Sequence, residues 1–108
     1  MEENKEGLEK VDLTKKIKDR VSLCERLVGL SEECAELNQA ALKYRRALDP
    51  TLNNPTPITE DEAYEELMSE IADVSVYLGT LSINWNYVTE IGQRKLVRWA
   101  ERLEREHE

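Results

Sequence analysis

Apolar residues recur at intervals of three and four along this chain: Leu13, Ile17, Val21, Cys24, Leu27 and Val28, then Leu30, Cys34, Leu37 and Ala41, as far as about Ala47. That period puts them on one face of an α-helix. Gly29-Leu30-Ser31 offers a break, with Ser31 ahead of Glu32 and Glu33 in the manner of an N-cap and an acidic first turn. A lone glycine is also tolerated within a helix. The expectation is one long helix across Gly29, preceded by a shorter one or by a frayed start over residues 1–12.

Pro50, Pro55 and Pro57 fall together with Asn53 and Asn54, which predicts a loop over 49–58. The next helix opens at Thr59-Glu60-Asp61-Glu62, a capping box with Thr at the N-cap and Glu at the third helical position. Leu67, Ile71, Val74, Leu78 and Leu81 then repeat at spacings of four, three, four and three, the seam of a helix bundle. Asn84-Trp85-Asn86 marks a bend. A last helix carries Val88, Ile91, Leu96, Trp99 and Leu103 and ends in the charged tail 104–108. The pattern predicts a single all-α domain over residues 1–108, a bundle of about four helices.

Composition narrows the chemistry. The chain has 108 residues, with 15 Lys plus Arg against 23 Asp plus Glu and a formal net charge of −8. That balance excludes nucleic acid as the main partner, since such binding needs a basic footprint, and it opposes docking on anionic membranes. The one histidine, His107, stands next to the last residue, so a Ser-His-Asp triad, a Cys-His pair and most zinc sites drop out. The acidic start Met1 to Glu6 lacks the apolar core of a secretory signal, and no apolar run approaches the roughly 18 residues of a membrane span. Cys24 and Cys34 do not form a CxxC pair and read as reduced thiols acting as small apolar residues. The expected compartment is the cytoplasm.

Carboxylates are what remain for chemistry. Glu33 with Glu36, and Glu70 with Asp73, stand three apart and share a helix face. A chain with 35% charged residues produces ExxE patterns by chance, and most charged helix faces are only solvated. The wheel positions raise the signal. Glu33 lies roughly 80° to one side of the Leu30-Cys34-Leu37-Ala41 seam, and Glu70 lies on the same side of the Leu67-Ile71-Val74-Leu78 seam at a similar angle. A hairpin packed along those seams would bring four carboxylates together at the border of the core. Oxygen-rich sites of that kind suit Mg²⁺ or Mn²⁺. Gly29 and Ala40 are small neighbours that leave room for a ligand, Lys43 lies within reach of a phosphate, and Tyr77 offers a ring to a base or sugar.

The stretches Glu32-Glu33-Cys34-Ala35-Glu36-Leu37 and Glu66-Leu67-Met68-Ser69-Glu70-Ile71-Ala72-Asp73-Val74 resemble the MazG-like all-α nucleoside triphosphate pyrophosphohydrolases, whose signature is EExxE followed by ExxD on a later helix. The resemblance runs from about Val21 to Leu81. It implies Mg²⁺, with Mn²⁺ as a substitute, held by Glu33, Glu36, Glu70 and Asp73. It also implies that Glu32 is a further acid near the water or metal and that Tyr77 contacts the nucleotide. Since a metal lowers the pKa of the attacking water, a spare carboxylate, Glu32 or Glu36, is expected to accept its proton. The interval between the two motifs is longer here than in the family because of the Pro-rich loop. The family's C-terminal basic element is matched loosely by Arg94, Lys95, Arg98 and Arg102, of which Lys95 and Arg98 are the expected phosphate contacts.

Two functions follow as expectations. One is hydrolysis of a nucleoside triphosphate to the monophosphate and pyrophosphate, a housecleaning activity on the nucleotide pool. The other is a non-enzymatic acidic helical adaptor. Met68, Ala72, Val76, Gly79 and Ile83 form a second apolar stripe away from the acids, which predicts a homodimer or a dimer of dimers.

Overall fold

The computed structural model describes the backbone of residues 2–49, 51 and 57–107, and side chains from residue 11 onward. Four α-helices follow one another: α1 (Glu2–Arg20), α2 (Leu23–Leu48), α3 (Glu60–Gly79) and α4 (Trp85–Glu106). No strand occurs among the described residues. The chain is helical from Glu2, where a frayed start was expected. Glu and Lys dominate that segment, both good helix formers. Of the loop expected over 49–58, Pro50 and residues 52–56 lie outside the described residues.

Each helix start has a local cause. Ser22 is the N-cap of α2, its hydroxyl accepting the Glu25 N–H at 3.1 Å. The break between α1 and α2 thus falls at Val21-Ser22, and α2 runs unbroken across Gly29. Thr59 accepts the Glu62 N–H at 3.1 Å and donates its hydroxyl to the Glu62 carboxylate at 3.1 Å. Asn84 Oδ1 accepts the Tyr87 N–H at 3.1 Å and starts α4.

Among the described residues, α2 and α3 form the one extensive helix–helix packing, an antiparallel hairpin. Its line of closest approach differs from the expected seams. The buried positions are Gly29, Ala40 and Ala63, while Cys34, Ala41 and Ile71 are exposed. Leu30, Leu37, Leu67, Val74 and Leu78 are half-buried. Small side chains let the two backbones approach closely, so the hairpin closes on the small residues beside the acids and leaves the large apolar residues along one flank. Cys24 and Cys34 are free and exposed rather than part of a core.

At the open end of the hairpin, half-buried Arg26 ties three segments together. Its Nε donates to the Val21 carbonyl at 3.1 Å, and a terminal nitrogen donates to the Thr80 carbonyl. The last turn of α3 has no basic residue of its own, so Arg26 supplies the cation that its C-terminal carbonyls favour. Thr80 is buried there and donates its hydroxyl to the Tyr77 carbonyl at 2.7 Å. Replacing Arg26 with Ala strands two carbonyls and is expected to cost about 1.5–3 kcal/mol, as hydrogen bonds from charged groups do. Chemical denaturation measures it, and an unchanged midpoint would show that the clamp contributes nothing.

Candidate metal centre

The antiparallel register sets side chains of α2 and α3 opposite one another in successive levels. Tyr77 meets Gly29 at one level. One turn on, the acids Glu33, Glu36, Glu70 and Asp73 converge, each offering an oxygen within 4.8 Å of the others. Beyond them Lys43 Nζ donates to Glu66 Oε2 at 3.0 Å, and the Tyr44 and Tyr64 rings lie tilted at 5.9 Å between centroids.

The four acids are unequal. Glu36 and Asp73 are exposed, whereas Glu33 and Glu70 are half-buried. One carboxylate oxygen of each of the latter, Oε2, is buried and accepts no hydrogen bond from the described residues. A buried acceptor without a donor carries a desolvation cost. Burial pushes the Glu33 carboxyl above its ordinary range, and the nearby charges of Glu36, Asp73 and Glu70 push it the same way. Glu70 is raised by burial first, then by Glu36 and Asp73. A divalent cation answers both features, since it supplies the missing partner and cancels the repulsion. All-oxygen donors fit a hard ion such as Mg²⁺. The donor set and the two orphaned oxygens therefore fit the ion that the sequence implies.

Glu32, the other expected proton acceptor, is exposed and stands outside the convergent four. Lys43 lines a polar cavity of about 320 Å³ together with Gln39, Ala40, Ser69 and the acids Glu36, Glu66 and Glu70. That cavity opens directly beside the centre. Sequence reasoning passed over Gln39, Ser69 and Glu66, although Gln39 and Glu66 stand one turn from Glu36 and Glu70, the spacing that marks them. The space expected over Gly29 for a ligand is instead filled by this chain's own Tyr77 ring. Lys95 and Arg98 are not brought to the centre: they line grooves built from α4 residues alone, because α4 does not pack extensively on the hairpin.

Comparison with family models, with curated proteins and with solved structures finds no match to this chain.

Two predictions follow from this geometry. A Cβ at Gly29 would overlap the Tyr77 ring, so Gly29→Ala is expected to displace that ring and cost about 1–3 kcal/mol, as overpacking does. A melting temperature equal to or above wild type would contradict the packing. The second concerns pH. Glu33 and Glu70 bind protons more tightly folded than unfolded, so the metal-free protein gains stability as pH falls from neutral towards the ordinary value of 4.5. Asp49 runs the other way, held low by hydrogen bonds from the Thr51 hydroxyl and backbone N–H. Its contribution fades only below the ordinary 3.8, outside that window. Metal-free protein is therefore expected to melt higher as the pH approaches the ordinary 4.5 than at neutral pH, and Mg²⁺ is expected to close the gap at neutral pH. A melting temperature that falls on this mild acidification and ignores Mg²⁺ would contradict the assignment.

Proposed function

We propose that this chain is a Mg²⁺-dependent nucleoside triphosphate pyrophosphohydrolase of the MazG-like kind, converting a (d)NTP and water to the (d)NMP and pyrophosphate. The observation that carries the reading is the pair of buried carboxylate oxygens on Glu33 and Glu70, unpartnered among the described residues, inside a four-acid group spaced as ExxE and ExxD. An adaptor whose acids serve only as surface charge gives no account of those two oxygens.

The residues divide the work as follows. Glu33, Glu36, Glu70 and Asp73 hold the cation, which supplies charge neutralisation of the phosphates and activation of water. Without it, an acidic centre on a chain of net charge −8 would repel a triphosphate. Lys43, at the far side of the polar cavity, exchanges Glu66 for a phosphate oxygen. Its ion pair with Glu66 is partly exposed, at 34% and 48% of the two side chains, and pairs of that kind are held weakly. Tyr77, at the opposite end of the centre with its ring against Gly29, contacts the nucleoside. Glu36, exposed at the rim, accepts the proton of the water that cleaves the anhydride between the α and β phosphates, with Glu32 as the alternative acceptor. The working site is the cytoplasmic nucleotide pool, and no helix among the described residues is long and apolar enough to cross a membrane. The chain acts as a homodimer or a dimer of dimers, a reading supported by the exposure of Ala72, Val76 and Gly79 along the second stripe of α3.

Replacing Glu70 or Asp73 with Ala is expected to abolish Mg²⁺-dependent pyrophosphate release from a panel of canonical and modified NTPs and dNTPs, with helical content unchanged by circular dichroism. Turnover undiminished in either variant would remove the metal-centred mechanism.

A further inference from the structure

Past Lys43, the face of α2 that lines the polar cavity carries one more cation, Arg46. On a helical wheel Glu36, Gln39, Lys43 and Arg46 fall within an arc of about 80°. The first three line the cavity beside the metal centre. Arg46 continues their line one turn further on, about 4.5 Å along the axis from Lys43. It is half-buried, and its Nε is buried without a hydrogen-bond partner among the described residues. Nor does it form an ion pair with any of them, although the start of the facing helix α3 carries Glu60, Asp61 and Glu62. Lys43 is matched by Glu66, and Glu62 accepts from the Thr59 hydroxyl instead.

An arginine stem often covers apolar surface while its head stays in water. Packing of that kind accounts for buried methylenes, but not for a buried N–H with no acceptor, which carries a desolvation cost. The guanidinium stays charged at every ordinary pH, and its Nε–H and Nη–H form a planar fork that matches two oxygens of a phosphate or a carboxylate. Carboxylates of α3 stand opposite and are not taken up.

The same face therefore carries two kinds of unpartnered buried group. At one end are the acceptor oxygens of Glu33 and Glu70, and at the other is the cationic donor of Arg46. One class of ligand is complementary to both: a polyphosphate with its divalent ion, positive where the ion meets the acids and negative at its far phosphate. A single phosphate is too short to meet the acids through a metal and Arg46 as well, because Lys43 and its whole turn of helix lie between them.

We infer that Arg46 receives the terminal phosphate of the metal-bound substrate through Nε–H and one Nη–H, with Lys43 on the phosphate before it. The inference rests on the proposed function and gives it a length rule: the site selects a triphosphate over a diphosphate or monophosphate, since the third phosphate is the one that reaches past Lys43. The two cations then hold the pair of phosphates that leave as pyrophosphate, where negative charge grows as the anhydride opens.

The test is calorimetry of the full chain with inorganic tripolyphosphate and Mg²⁺, so that neither base preference nor turnover enters. Wild type is expected to bind tripolyphosphate about tenfold or more tightly than pyrophosphate. Arg46→Met, which keeps the stem, is expected to bind tripolyphosphate about 10- to 100-fold more weakly and to lose that preference, the range for hydrogen bonds to a charged group. Arg46→Lys, which keeps the charge without the fork, is expected in between. Without phosphate, Arg46→Met is expected to melt no lower than wild type, because it removes a buried donor that has no acceptor. A lower melting temperature would assign the side chain to structure and overturn the inference. So would equal affinity of wild type and Arg46→Met for tripolyphosphate, or no binding by wild type. Hydrolysis is scored separately: binding through Arg46 without NTP turnover would remove the pyrophosphohydrolase alone, and turnover with an unchanged KM in Arg46→Met would remove this inference alone.

Discussion

Four carboxylates crowd together where α2 meets α3, and among the described residues the two most buried of them find no hydrogen-bond donor for one oxygen. Such crowding opposes folding, since desolvation and mutual repulsion both penalise the charged forms. Local features of the hairpin offset it. Gly29, Ala40 and Ala63 bring the backbones close, Arg26 ties the far end across to Thr80, and the Thr59 cap holds the start of α3. A cation bound among these acids would return that deficit through mass action.

That constraint also accounts for the layout. With the line of contact drawn towards the acids, the large apolar residues cannot sit between the helices and are displaced to one flank. The same rotation opens the polar cavity around Lys43, Gln39 and Ser69 and seats Tyr77 on the bare backbone of Gly29. Lys43, the four acids and Tyr77 thus follow one another along the hairpin, in the order set by the antiparallel register. The half-buried flank of Leu30, Leu37, Leu67, Val74 and Leu78 is the consequence on the other side.

The helices were largely legible in the sequence because their determinants are local. Thr59 with Glu62, Asn84 ahead of Trp85, and the three- and four-residue spacing on both sides of the prolines each act within one or two turns. The break at Val21-Ser22 was equally local, since Ser22 and Glu25 are a capping pair, but the apolar period running through it concealed the signal. Matching wheel angles for Glu33 and Glu70 were enough to bring four acids to one level. What a wheel cannot supply is the distance between two helices. Leu30, Cys34, Leu37 and Ala41 have the stronger period, yet the packing selected Gly29 and Ala40, whose small size permits the closer approach. For the same reason Gly29 read as room for a ligand when it is room for Tyr77. Lys95 and Arg98 were placed by analogy with a basic element, and nothing in their spacing encodes where α4 docks.

The central claim is that this carboxylate crowding exists to hold a divalent cation. Mn²⁺ titrated into the wild-type protein and followed by electron paramagnetic resonance tests it directly, since bound and free ion are counted separately and no nucleotide is needed. The account predicts saturable binding of at least one ion per chain, competed by Mg²⁺ and lost when Glu33 and Glu70 are both changed to Gln. Weak, unsaturable binding that is the same in that double variant would contradict it.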